Sequence, residues 1–134
     1  MNEFITQLSI TFLGDKKYVV TSPLTFETSD YIITVLEGFV YNGANIPDEA
    51  TSIIGCSMDY AMALSSCIHD ALYTSKLLSR KDSDKIFYAC MLSLGKSRLE
   101  ALAIYKIVRL FGGSNYNRNN IIDGTQFIHI KIKE

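Results

Sequence analysis

The fold is constrained most by two helix N-terminal signals. Each is followed by a helical stripe of apolar residues that ends at a glycine. Ser79 and Asp82 are the ends of a capping box with Asp in place of Glu, and the helical stripe behind them ends at Gly95. Ser97 and Glu100 form a full capping box, whose helix is predicted to run through residue 110 to two consecutive glycines. A longer helical pattern spans about residues 59–78. The sequence therefore predicts three helices, the first two antiparallel.

The first forty residues have a different character, because they are rich in Thr, Val, Ile, Tyr and Phe and are punctuated by turn residues. They predict hairpin-linked strands near 6–12, 17–21, 24–27 and 31–36. Residues 38–47 and 114–120 are predicted loops. Apolar and polar residues alternate over 127–132, which predicts a last strand at a sheet edge. Lys131 and Lys133 would oppose pairing of this edge with another chain. The fold class is α+β: a small antiparallel sheet, three helices and a returning edge strand.

Composition narrows the class of protein. A chain of 134 residues that is 48% hydrophobic predicts one domain over 1–134. A net charge of −1 argues against nucleic acid as a partner. No apolar run approaches the length of a membrane span, and no secretion signal is visible at the N-terminus. Three cysteines without metal or disulfide spacing predict buried thiols, at Cys67 and Cys90 above all, in a reducing compartment.

The candidate functional residues lie on the first two helices. His69 and Tyr73 are one helical turn apart on one face. Asp84 shares a stripe with Phe87, so its carboxylate faces the core and needs a partner, for which His69 is the candidate. A carboxylate on one imidazole nitrogen would fix the tautomer and leave the other nitrogen able to take a proton from water.

Asp70 is rotated by about 100° from His69 around the helix axis, so it points elsewhere. There it is able to bind a hard cation such as calcium, together with carbonyls of the glycine- and asparagine-rich loop 38–47. A base, an orienting acid and a cation suit metal-assisted hydrolysis.

Structural interpretations stay open beside this one. Asp84 lies in the first turn of its helix, where a carboxylate favours the helix dipole without any catalysis. Tyr73 is also explained as an amphipathic core aromatic. Arg109 shares a stripe with Leu102 and faces partly inward, so Arg109 and Arg80 need an anion, either a carboxylate of this domain or a substrate phosphate.

An ordered set of motifs spans about residues 17–113: Gly38-Phe39, Ala44, Pro47, His69 to Tyr73, Ser79-Arg80, Asp84, Phe87, Gly95, Tyr105, Val108-Arg109 and Phe111-Gly112. This set resembles an uncharacterised family encoded by tailed bacteriophages and prophages, DUF1353. The resemblance implies a single domain of that family. It also implies a protein of the host cytoplasm or the phage virion, with virion or tail proteins as partners.

A second, local resemblance concerns the site. His-Asp-x-x-Tyr followed by Asp-x-x-Phe is similar to the active-site helices of phospholipase A2 enzymes, especially the disulfide-free parvoviral forms. It implies His69 as general base, Asp84 as its orienting partner and Tyr73 holding Asp84. The implied calcium ligands are the carboxylate of Asp70 and carbonyls of the upstream loop: Tyr41, Gly43 and Asn45. The implied substrate is a phospholipid at a membrane surface.

The loop departs from both patterns. The phage family usually carries an acidic residue there, whereas this chain has Asn42 and Asn45. Two hypotheses result: a calcium-dependent phospholipase A2-like ester hydrolase, or a non-catalytic virion or tail-associated module that keeps the His-Asp-Tyr cluster as a buried polar core.

Overall fold

The computed structural model describes residues 2–15, 17–42, 59–117 and 124–133. Within them the α+β prediction is confirmed: antiparallel strands precede the helices, and one strand returns from the C-terminal end. The strands are β1 (Glu3–Phe4), β2 (Ile10–Gly14), β3 (Lys17–Val20), β4 (Leu24–Glu27), β5 (Tyr31–Val35), β6 (Val40–Tyr41) and β7 (Ile128–Ile132).

These strands form two antiparallel sheets rather than one. The larger has the order β1-β4-β5-β7 and the smaller the order β2-β3-β6. The β2–β3 hairpin turns at Gly14 and Asp15, which both have positive φ (88° and 51°), as the turn signal predicted. The last strand does lie at an edge, where Ile130 pairs with Ile33 and the Lys133 ammonium forms an ion pair with Glu27.

Three long helices follow: α1 (Tyr60–Ser75), α2 (Arg80–Ser93) and α3 (Arg98–Phe111). The predicted caps are present. The Ser79 hydroxyl accepts from the backbone N–H of Asp82, and the Ser97 hydroxyl accepts from that of Glu100. Each cap satisfies one backbone donor that the first turn would otherwise leave unpaired. The side chain of Asp59 caps α1 in the same way.

Several predicted boundaries were wrong. The first predicted strand begins at Ile10 rather than residue 6, and the two-residue β1 was missed because it is too short to show alternation. The predicted loop 38–47 contains β6, whose pairing with β3 no local signal reveals. Residues 43–47 of that loop lie outside the described residues, and so does Gly43 of the predicted Asn42-Gly43 turn.

The helical boundaries also differ in two places. Helix α1 ends at Ser75 rather than residue 78, because Lys76 adopts a left-handed conformation (φ 55°). Residues 114–117, predicted as loop, belong to a short helix α4 (Gly113–Asn117). Gly112 keeps right-handed helical angles, so the chain turns again instead of extending.

Helix α1 is buried on nearly all sides and separates two regions of the interior. On one side its apolar residues pack on the larger sheet in what we call the apolar core, which includes Phe26, Ile33, Leu64, Ile68 and Leu72. On the other, α2 and α3 enclose a second group that includes Phe87, Met91, Ile104 and Val108. Cys67 and Cys90 are buried free thiols, as predicted. No helix among the described residues is long and apolar enough to cross a bilayer.

Candidate functional site

The structure brings His69, Asp84 and Tyr73 together between α1 and α2. The Nε2 atom of His69 lies 2.8 Å from Oδ1 of Asp84, and the Tyr73 hydroxyl donates to the same oxygen at 2.5 Å. None of the three side chains is exposed by more than 1%. The predicted pairing of the histidine with a carboxylate fifteen residues later, and the contact of Tyr73 with that carboxylate, are present as geometry.

Packing fixes the orientation of the imidazole ring. Its centroid lies 4.1 Å from that of Tyr73 and 4.5 Å from that of Phe87. Tyr73 follows His69 by one turn of α1, whereas Phe87 follows Asp84 by almost one turn of α2. The same two helices therefore supply both the hydrogen bonds and the apolar contacts that hold the ring.

Two arginines complete the surroundings of Asp84. The Nη1 atom of Arg109, on α3, donates to Oδ2 of Asp84 at 2.8 Å. The Nε atom of Arg80 is 3.9 Å from the same oxygen, and its Nη2 donates to the carbonyls of Val108 and Arg109 at 2.8 and 2.6 Å. Arg80 thus also satisfies carbonyls at the end of α3. We call these five side chains the polar cluster: His69, Tyr73, Arg80, Asp84 and Arg109.

The electrostatics keep Asp84 ionised. Burial by itself would raise the pKa of Asp84, but the hydrogen bonds from His69 and Tyr73 and the bond from Arg109 outweigh it and lower the pKa. The pKa of Tyr73 is raised, first by burial and then by its bond to Asp84, so its hydroxyl stays a proton donor. The hydrogen bond to Asp84 likewise raises the pKa of Arg109.

The tautomer of neutral His69 follows from these contacts. An ionised carboxylate only accepts hydrogen bonds, so Nε2 must carry the proton. Nδ1 is then the basic nitrogen, and it has no hydrogen-bond partner among the described residues. When the imidazole is neutral, this arrangement therefore leaves Nδ1 as the unprotonated nitrogen, and a general base requires such a nitrogen.

Only some of the predicted metal ligands are among the described residues. Asp70 is 3% exposed on α1. Burial raises the pKa of Tyr41, and the charges of Cys67 and Asp70 add to that rise. The Tyr41 hydroxyl donates to the carbonyl of Ala63 at 3.2 Å. Gly43 and Asn45 lie outside the described residues. Within the described ranges, no three His, Cys, Asp or Glu side chains gather in the manner of a metal centre.

Other features of the site went unpredicted from the sequence. Ser65, one turn before His69, is fully buried and its Oγ has no hydrogen-bond partner in the part of the chain that is described. Its spacing of four from the histidine was the available signal. Gly112 lets α3 approach closely, since an added Cβ would lie 2.5 Å from the Val108 carbonyl oxygen and 3.2 Å from the Tyr73 hydroxyl.

Comparison with known proteins bears on the family alone. No curated protein and no solved structure matches the chain. A family model described as a protein of unknown function, DUF1353, matches residues 18–108, which include α1, α2 and most of α3. The matched region carries four members of the polar cluster and ends one residue before Arg109. The chain therefore belongs to the DUF1353 family.

Proposed function

We propose that the chain is a phage-encoded, phospholipase A2-like hydrolase of carboxylic esters, with His69 as its general base. One observation carries the proposal. His69 is bonded through Nε2 to an ionised Asp84 that Tyr73 also holds, while Nδ1 has no partner among the described residues. The phage origin and the phospholipid substrate come from the resemblance of the sequence motifs.

In the proposed reaction, Nδ1 of His69 takes a proton from the attacking water and returns it to the leaving alkoxide. Asp84 holds the imidazole in the required tautomer and stabilises the imidazolium that forms. Tyr73 and Arg109 keep the carboxylate in place, because they bind its two oxygens separately. The fully buried ring excludes bulk water from the basic nitrogen.

Calcium is the proposed cofactor. Asp70 supports the proposal because it is a buried carboxylate on the helix that carries His69, and calcium prefers carboxylate oxygens as ligands. The proposed ligands are Asp70 and the carbonyls of Tyr41, Gly43 and Asn45. When bound, calcium would polarise the ester carbonyl as a Lewis acid. A calcium-dependent rise in melting temperature, abolished in Asp70→Asn and not reproduced by magnesium, is the result expected.

Release of fatty acid from mixed phosphatidylcholine and phosphatidylglycerol vesicles tests the hydrolase. The two histidines provide a matched pair of variants: His69 is buried, and His129 is exposed on β7. Calcium-dependent release is expected from the wild-type protein and from His129→Ala. His69→Ala is expected to lose at least about a hundredfold in rate. Absence of turnover by the wild-type protein with calcium would overturn the proposal.

A second candidate is a non-catalytic module of the phage virion or tail. The complete burial of the His-Asp-Tyr group favours it, as does the occupation of both Asp84 oxygens by donors from α1 and α3. Such a network joins three helices without any reaction. For this function, His69→Ala should lower stability while His129→Ala does not, and no esterase activity should accompany the wild-type fold.

A further inference from the structure

Oγ of Ser65 and Nδ1 of His69 lie on the same helix, α1, and neither atom has a hydrogen-bond partner among the described residues. Both side chains are fully buried. Buried polar groups in native proteins are nearly always satisfied, by protein atoms or by bound water. Since both atoms are on α1, a shared partner is the simplest explanation.

The geometry of α1 places the two residues together. Ser65 precedes His69 by four positions, so they occupy the same face one turn apart. Side chains on a helix lean toward its N-terminus, and this tilts the imidazole toward the turn that carries Ser65. Tyr73 lies on the other side of the ring, with 4.1 Å between the ring centroids. The order along the face is Ser65, His69, Tyr73.

We infer that a bound water molecule joins Oγ of Ser65 to Nδ1 of His69 and is the water that attacks the ester. An ordered buried water needs at least two polar partners, and these two atoms provide them. One hydrogen of the water is donated to Nδ1 and the other to Oγ of Ser65. An oxygen lone pair is thereby left for the carbonyl carbon. Ser65 acts through this water, so it is a positioning residue.

The reaction balances with these groups alone. The water oxygen forms a bond to the carbonyl carbon as its proton moves to Nδ1 of His69. The ester C–O bond then breaks, and the proton passes from Nδ1 to the departing alkoxide oxygen. This role of Ser65 rests on the proposed hydrolase function. Combining rate measurements with a crystal structure distinguishes failure of the Ser65 role from failure of the hydrolase function.

Ser66 provides the matched control. It is the next residue on α1 and is equally buried, but its hydroxyl donates to the carbonyl of Ala63 at 3.4 Å, within its own helix. Three variants are compared with the wild-type protein: Ser65→Ala, Ser65→Thr and Ser66→Ala. Fatty-acid release is measured on phosphatidylcholine–phosphatidylglycerol vesicles with calcium. A crystal structure of the wild-type protein and of Ser65→Ala shows whether the water is present.

In Ser65→Ala, kcat is expected to fall about tenfold with KM unchanged, because one hydrogen bond to the attacking water is lost. Ser65→Thr should recover most of the rate, since it keeps the hydroxyl, and Ser66→Ala should match the wild-type protein. The crystal structure should show a water within hydrogen-bond distance of both atoms in the wild-type protein and its loss or displacement in Ser65→Ala.

Four outcomes would overturn the inference. Absence of the water from the wild-type crystal structure does so whatever the activity. The inference also fails if kcat is unchanged in Ser65→Ala, or if mass spectrometry finds an acyl group on Ser65. In both cases the proposed hydrolase function still stands. If the water is present but the wild-type protein hydrolyses no ester, the proposed function fails, and the attacking role of the water fails with it.

Discussion

The apolar core and the polar cluster lie on opposite sides of α1, and different interactions hold them. His69, Tyr73 and Asp84 are as buried as the apolar core, whereas the two arginines of the cluster are partly exposed. Ile33, Leu64 and Leu72 are at most 1% exposed and contact their neighbours without directional bonds. In the polar cluster, the two oxygens of Asp84 receive hydrogen bonds from three side chains. Hydrophobic burial scales with area, whereas a buried charge is tolerated only while its partners are in place.

This difference teaches where the molecule tolerates change. A core side chain can be exchanged for another of similar volume at small cost, because neighbours repack. A member of the polar cluster has no such substitute, since removing one partner leaves others buried and unsatisfied. Substitutions that preserve volume should therefore separate the two regions.

Removal of the shared carboxylate should have the largest effect. Asp84→Ala leaves the guanidinium of Arg109 and the hydroxyl of Tyr73 without their acceptor. Denaturant unfolding should show a loss of about 3–5 kcal/mol in the free energy of unfolding. Asp82→Ala, on the same helix but partly exposed, is the control and should cost about 1 kcal/mol or less. Equal losses in the two variants would contradict a special role of the buried carboxylate.

A direct comparison of the two regions uses neighbouring residues on α1. Tyr73→Phe keeps the ring but removes the donor to Asp84, and should cost about 1.5–3 kcal/mol. Leu72→Met keeps the volume of an apolar-core residue and should cost less than about 1.5 kcal/mol. Chemical denaturation of both variants measures the two values. A larger loss in Leu72→Met would reverse the comparison.

The close approach of α3 to the cluster gives a test at a glycine. In Gly112→Ala, the new Cβ meets the Val108 carbonyl oxygen at 2.5 Å and the Tyr73 hydroxyl at 3.2 Å. Thermal or denaturant unfolding should show a loss of about 1–3 kcal/mol. In Gly113→Ala the nearest atoms belong to Arg80 at 3.8 Å, an ordinary contact, so this variant should be neutral or slightly stabilising.

The dependence of the unfolding free energy on acidic pH should also reveal the polar cluster. Of the effects predicted here, this is expected to be the smallest. Because the pKa of Asp84 is lowered in the folded state, its contribution to stability is complete above the ordinary Asp pKa, near pH 4. The contribution is lost as pH falls through the lowered value. Unfolding free energy measured from pH 6 to pH 2 should therefore decline less steeply in Asp84→Asn than in the wild-type protein. Asp30→Asn, at an exposed position, is the control. An unchanged slope in Asp84→Asn would show that Asp84 does not titrate as described.

The sequence predicted those parts of the fold that local chemistry determines. The caps at Ser79 and Ser97 and the turn at Gly14 each depend on residues within a few positions, and all are present. The pairing of β6 with β3, and the division of the strands into two sheets, depend on contacts between distant segments. No short-range pattern encodes them.

The same distinction applies to the site. The contact between His69 and Asp84 was predictable because a carboxylate on a buried helical stripe needs a partner, and one histidine stood on the preceding helix. The inward direction of Arg109 followed from its stripe on α3. Both arginines approach Asp84, and Arg80 also donates to carbonyls at the end of α3. These contacts depend on how the three helices pack. Spacing within any one helix does not contain that information.

The rate of ester hydrolysis per folded molecule in His69→Gln, relative to the wild-type protein, tests the central claim most directly. Folded protein is quantified by near-ultraviolet circular dichroism, and fatty-acid release is followed on phospholipid vesicles with calcium. Glutamine places amide atoms at the histidine position but cannot act as a base. The account predicts a fall of at least about a hundredfold at equal folded fraction. A rate that falls only in proportion to the folded fraction would contradict it and leave the polar cluster a structural core.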